Sequence, residues 1–125
     1  MSGKPKVLII DDDQQLVLLL ASHLRGAGYP TVAAVDAVQG FMFAQREQPG
    51  LILLDVAMPA GGGLSLLEKL VKTLRTQLIP VIVITASPDP AIETKARATG
   101  AVAFLPKPID RDTLLATVDA VLTRA

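Results

Sequence analysis

The chain has 125 residues, enough for one domain with its own core and too few for two. Twelve basic residues balance twelve acidic ones, which leaves no electrostatic footprint for nucleic acid, and the lack of cysteine excludes disulfides and thiolate metal sites. His23 is the only histidine, so no site needing two imidazoles is possible. No apolar run is long enough to span a bilayer, and the short polar start over 1–6 has no secretory pattern, so a cytoplasmic domain that binds neither membrane nor nucleic acid is expected.

Five repeats of strand then helix follow. Residues 6–10 form a short apolar run bounded by Asp11, Asp12 and Asp13, the pattern of a buried strand. Leu16, Leu19, Leu20 and Leu24 recur at helical spacing, and Gly26 and Gly28 end that helix. A second strand covers 31–35. Asp36 caps a second helix reaching about Gln48, where Pro49-Gly50 stops it. A third strand over 51–54 ends at Asp55. Pro59 and the glycines Gly61, Gly62 and Gly63 read as a mobile loop, because consecutive glycines cost folding entropy. The next helix carries Leu64, Leu66, Leu67, Leu70 and Leu74. A fourth strand covers 81–85. Asp89-Pro90 is a cap followed by a first-turn proline, and Gly100 closes the helix it opens. A fifth strand spans 101–105, and Asp110 caps a last helix with Leu114, Leu115, Val118, Val121 and Leu122 on one face.

Alternating strands and helices predict an α/β fold: a doubly wound parallel sheet with helices on both faces and right-handed crossovers. Strands one, three and four are the most continuously apolar and belong in the centre. Strand five runs into Pro106, which suits an edge. The order is therefore 2-1-3-4-5, the flavodoxin-like (βα)5 arrangement.

Ligands of such folds bind beyond the carboxyl ends of the strands. Those ends carry Asp11, Asp12 and Asp13 on strand one, Asp55 on strand three, Thr85 on strand four and Lys107 after strand five. Clustered carboxylates repel, a cost that a divalent cation removes, and oxygen ligands suit Mg²⁺. A cation, an ammonium and a hydroxyl beside a carboxylate are also what phosphoryl transfer needs. Taken singly, Asp11 and Asp12 read equally well as helix caps, Asp55 as a loop aspartate, Thr85 as a strand-end hydroxyl and Lys107 as a surface lysine. Their joint placement carries the site. Asp13 is assigned to capping.

The segments VLIIDDD (7–13), LILLDVAMP (51–59), VIVITAS (81–87) and FLPKP (104–108) together resemble the signature blocks of response-regulator receiver domains of two-component systems, of the chemotaxis-regulator kind. The resemblance covers nearly the whole chain, 1–125, as one receiver domain. It implies that Asp55 accepts a phosphoryl group from a phosphohistidine, and that Asp12 binds Mg²⁺ (or Mn²⁺) directly while Asp11 acts partly through water. The backbone carbonyl of Ala57 and Asp55 itself would complete the metal site. Lys107 and Thr85 would hold the phosphoryl group, Thr85 and Phe104 would act as the switch, and the Lys107-Pro108 bond would be cis. A sensor histidine kinase or phosphotransfer protein would be the donor, and a downstream protein the target. Such a chain is a phosphorylation-controlled signalling domain that assists its own phosphorylation and dephosphorylation, not an enzyme acting on a separate substrate.

The sequence departs from the family pattern at Phe104, where tyrosine is common, and at Gly62, where aspartate is frequent. Ala57 and Ser87 are both small at positions that tune dephosphorylation in the family. The glycine run lacks the Lys-Ser/Thr of a Walker loop, and His23 reads as a partly buried structural residue. Leu18 projects opposite the stripe of Leu16, Leu20 and Leu24, an exposed position that the resemblance assigns to kinase docking. The fourth helix has little bulk to bury, with Ala91, Ile92, Ala96 and Ala98, so it is expected to move easily. The charge pattern of the last two helices does not resemble the dimerisation set of the winged-helix transcription regulators of this family, so a monomer or weak homodimer is expected. Two rival readings stand beside this one. A phosphohydrolase with an aspartyl nucleophile needs a general acid where Ala57 sits, and a pure interaction module needs none of the rim residues.

Overall fold

Segments apolar at every position must be covered on both sides, and the structure places three of them at the centre of a parallel sheet. The computed structural model describes residues 3–58 and 62–124. Along them run β1 (Val7–Ile10), α1 (Gln14–Gly26), β2 (Thr31–Ala34), α2 (Ala37–Glu47), β3 (Leu51–Asp55), α3 (Gly62–Lys72), β4 (Val81–Thr85), α4 (Pro90–Thr99), β5 (Ala103–Pro106) and α5 (Arg111–Leu122). All strand pairs are parallel and the order is β2-β1-β3-β4-β5, as expected. Successive strand residues face opposite ways. Val7, Ile9, Leu51, Leu53, Ile82 and Ile84 thus pack under α1 and α5, with Leu20, Leu24, Leu114 and Val118. Leu8, Ile10, Ile52, Leu54, Val81 and Val83 pack under α2, α3 and α4, with Ala44, Leu66, Leu67, Leu70 and Ala96.

The helix starts follow capping chemistry. The Asp13 carboxylate accepts from the Leu16 N–H, Asp36 from Gln39, Asp89 from Ala91 and Asp110 from Thr113, at 2.8 to 3.1 Å. Gln48, in the left-handed region at φ 46°, ends α2, and Gly100, at φ 134°, ends α4.

Several expected boundaries and faces are corrected. Lys6 precedes β1, and Val35 falls outside β2 because the Gln39 side chain takes its N–H at 2.9 Å. Ala101 and Val102 precede β5: the Ala101 N–H is spent on the Ala96 carbonyl at the end of α4. Leu19 is half exposed, since the buried stripe of α1 is Val17, Leu20, Ala21 and Leu24. Leu74 lies past the end of α3 and is exposed; the buried Thr76 hydroxyl donates to the Leu70 carbonyl and turns the chain there. Gly62 and Gly63 are the first residues of α3 rather than a mobile loop, and Gly63 is buried. Pro59 and Gly61 lie outside the described residues.

Leu53, at 0 % exposure in the central strand, sets a test of the core. Leu53→Ala is expected to lower unfolding free energy by about 2–5 kcal/mol. Val38→Ala, at a position 81 % exposed, should stay within about 0.5 kcal/mol of the wild type, both changes being read by urea titration.

Candidate functional site

Parallel pairing brings the strand ends to one rim. Asp11 follows β1 directly and its N–H continues the ladder to the Ala34 carbonyl at 3.1 Å. Asp55 and Thr85 are the last residues of β3 and β4, and Asp55 is paired with Ile84. Lys107 follows β5, and its N–H donates to the Thr85 carbonyl at 2.8 Å. Asp11, Asp55 and Thr85 are thus fixed by sheet register rather than by loop conformation.

Asp11, Asp55 and Thr85 are buried, whereas Asp12 is exposed. The Lys107 ammonium lies 2.8 Å from Asp11 Oδ2 and 3.3 Å from Asp55 Oδ2. Burial by itself depresses the Lys107 pKa, but the Asp11 and Asp55 carboxylates outweigh it and hold the ammonium above the ordinary lysine value. Lys107 is therefore charged at neutral pH. The other carboxylate oxygens are held by the backbone: Asp55 Oδ1 accepts from the Ala57 N–H at 2.8 Å, and Asp11 Oδ1 from the Asp13 N–H at 2.9 Å. The Lys107-Pro108 peptide is cis.

The fit of a cation can be judged from the donor set. Asp11, Asp12 and Asp55 each present a carboxylate oxygen, and these atoms lie within 4.8 Å of one another. Asp11 Oδ2 is buried and, among the described residues, has no hydrogen-bond partner: the Lys107 contact is an ion pair without hydrogen-bond alignment. A buried carboxylate oxygen lacking a donor is costly. A set of hard oxygens with one such atom suits Mg²⁺ or Mn²⁺.

Thr85 reveals an arrangement that the sequence reading missed. Its hydroxyl oxygen accepts from the Ser87 N–H at 3.1 Å; the Ser87 hydroxyl oxygen accepts from the Asp89 N–H at 3.3 Å; and Asp89 Oδ1 accepts from the Ala91 N–H at 2.9 Å. Pro88 and Pro90 have no N–H. Each donor of the segment 87–91 is thus taken by the side chain two residues earlier. The signal for this was the alternation S-P-D-P after a strand-end threonine.

The other expected residues lie as follows. Phe104 on β5 is half-buried and packs against the apolar cluster beneath α2, α3 and α4. Leu18 is 69 % exposed on α1 and lines a surface hollow with Gln14, Val17, Ala33, Ala34 and Val35. Ala57 is exposed at the rim. His23 is half-buried. Within α4 only Ala96 is fully covered.

Comparison with known proteins agrees with this geometry. The family model described as "Response regulator receiver domain" matches residues 7–119. The DNA-binding dual master transcriptional regulator RpaA of Synechocystis sp. is 38% identical over 120 residues, which cover 96% of this chain and 50% of that protein. Protein PilH of Pseudomonas aeruginosa is 32% identical over 117 residues, covering 94% of this chain and 97% of that protein. Among solved structures, the chemotaxis protein CheY4 of Vibrio cholerae superimposes with a TM-score of 0.87 at 29% identity, covering 94% of this chain and 98% of that one. The chain belongs to the receiver domains of response regulators, the signalling domains of two-component systems that are phosphorylated on an aspartate. It spans half the length of the RpaA relative and nearly all of PilH. No helix among the described residues is long and apolar enough to cross a membrane.

Lys107 is the cation that the buried carboxylates share. Lys107→Met is expected to lower unfolding free energy by roughly 3 kcal/mol at neutral pH without divalent cations, because it leaves buried charges uncompensated. Urea titrations of the two proteins at neutral pH will read the difference.

Proposed function

We propose that this domain accepts a phosphoryl group on Asp55 from the phosphohistidine of a sensor histidine kinase or phosphotransfer protein, and signals by changed contacts with a downstream protein. The observation that carries this reading is the meeting of Asp55 with Asp11, Asp12 and Lys107 at one rim. A carboxylate oxygen of Asp55 forms the new bond to phosphorus. The bond from phosphorus to the imidazole nitrogen breaks, and the imidazole keeps the electron pair.

Lys107 already faces Asp55 Oδ2 and is held in the charged form, so it is placed to pair with a phosphoryl oxygen. The Thr85 hydroxyl donates to another phosphoryl oxygen. Mg²⁺ or Mn²⁺, held by Asp11, Asp12, Asp55 and the Ala57 backbone carbonyl, would supply charge that offsets the phosphoryl oxygens. Thr85 and Phe104 then act as the switch, and the face of α4, β5 and α5 as the output surface. The sparse packing of α4, with Ala96 as its one fully covered residue, supports that choice. Exposed Leu18 supports α1 as a docking face for the kinase. The domain works through protein contacts, as a monomer or weak homodimer, and binds no nucleic acid itself.

Intact mass after incubation with Mg²⁺ and acetyl phosphate tests the central claim. One phosphoryl adduct is expected, absent in Asp55→Asn and absent without a divalent cation. No adduct from acetyl phosphate or from a phosphorylated kinase would leave an interaction module with an idle site. Leu18→Glu should slow transfer from a kinase by roughly tenfold, as loss of a central interface contact does, while acetyl phosphate labels it at the wild-type rate. Amide exchange over 92–100 should rise on phosphorylation.

A further inference from the structure

Gly63 needs its missing side chain for space and not for backbone conformation. Among the described residues, only Gly28 and Gly100 are glycines with positive φ. Gly63 sits buried in the first turn of α3. A Cβ there would lie 2.5 Å from the Asp55 carbonyl oxygen, 2.9 Å from the Val56 carbonyl carbon and closer still to Val56 Cα. These are backbone atoms, so no rotamer change relieves the collision. On its other side the same peptide is held by β4, where the Val56 N–H donates to the Ile84 carbonyl at 3.3 Å. The Asp55–Val56 backbone is therefore clamped between α3 and β4. The next N–H along, that of Ala57, holds Asp55 Oδ1.

We propose that Gly63 is a positioning residue for phosphoryl transfer, letting the first turn of α3 rest on the Asp55–Val56 peptide and so fixing the Asp55 carboxylate and the Ala57 peptide against Asp11, Asp12 and Lys107. The inference rests on the reading of Asp55 as phosphoacceptor. A methyl group at position 63 pushes either α3 or the peptide away. The peptide follows directly on the nucleophile, Asp55, and the carbonyl assigned to the metal lies one residue further on, at Ala57, so binding and transfer weaken together. A purely structural role would lower stability and leave the site of the folded protein unchanged.

The experiment compares the wild type, Gly63→Ala and Leu70→Ala at a temperature where circular dichroism shows each to be folded. Leu70 is fully buried two turns further along α3, so its truncation also costs stability. Mg²⁺ affinity is read by calorimetric titration, and phosphorylation by the initial rate of adduct formation from acetyl phosphate. Gly63→Ala is expected to weaken Mg²⁺ binding and slow phosphorylation by about tenfold or more, as small displacements at reacting centres do, with Leu70→Ala at wild-type values in both. Wild-type values in Gly63→Ala, or equal losses in Leu70→Ala, overturn the proposal. If Gly63→Ala does not fold, Leu66→Ala decides: Leu66 anchors the turn that follows Gly63, so its truncation should weaken Mg²⁺ binding where Leu70→Ala does not, and no difference between them overturns the proposal. A wild-type chain that takes no phosphoryl group sinks the reading of Asp55 and this inference with it. A labelled wild type with an equally labelled Gly63→Ala sinks only the role of Gly63.

Discussion

Parallel strands covered on both faces have nowhere to place a polar side chain except at their ends. β1, β3 and β4 consist of apolar residues until their last position or the one beyond it, and there Asp11, Asp55 and Thr85 stand buried. Every other feature of the rim follows from this constraint. The register that pairs Ile10 with Leu54 and Asp55 with Ile84 also sets the spacing of the acidic groups. Short connections then bring Asp12 and Lys107 to the same edge. A slip of one residue in any central strand would turn its polar end residue and its core residues to the wrong faces at once.

The balance of charge at this rim is local. Lys107 stands nearer to Asp11 than to Asp55, so the ammonium lies towards the carboxylate that lacks a hydrogen bond on Oδ2. Asp55 keeps Oδ1 engaged by the Ala57 N–H and shares only a longer contact with Lys107 through Oδ2. The oxygen facing Lys107 is the less firmly held of the two, which fits the phosphoacceptor role proposed for Asp55.

The fold was legible in the sequence because strand and helix periods alternate without interruption and aspartates mark four helix starts. The rim was legible because strand ends can be counted. What escaped has physical causes. The run Leu16 to Leu20 is apolar at every position, so it does not declare which of its residues face the core, and Leu19 was assigned wrongly. Leu74 continued the helical spacing, but the turn closed by Thr76 ends α3 before reaching it. The glycines before Leu64 carried the entropic signature of a loop; the use that Gly63 serves, giving room for close backbone contact, depends on a neighbour seven residues away in sequence. The preference of Lys107 for Asp11 over Asp55 is a matter of tenths of an ångström, which no spacing encodes.

The bonds that step from Thr85 to Ser87, Asp89 and Ala91 make the link between β4 and α4 a self-supporting arm. Each bond closes across two residues, where the entropy of closure is small. The two prolines remove the donors that would otherwise seek partners elsewhere, and they fix φ between the closures. The shape of the arm is therefore written within its own few residues and does not lean on the surrounding packing. Its first acceptor is the hydroxyl at the rim and its last is the cap of the least covered helix. The rim hydroxyl and the start of α4 are thus joined by three short closures in a row, so the first residue of the arm and its last are tied through a run of only seven residues.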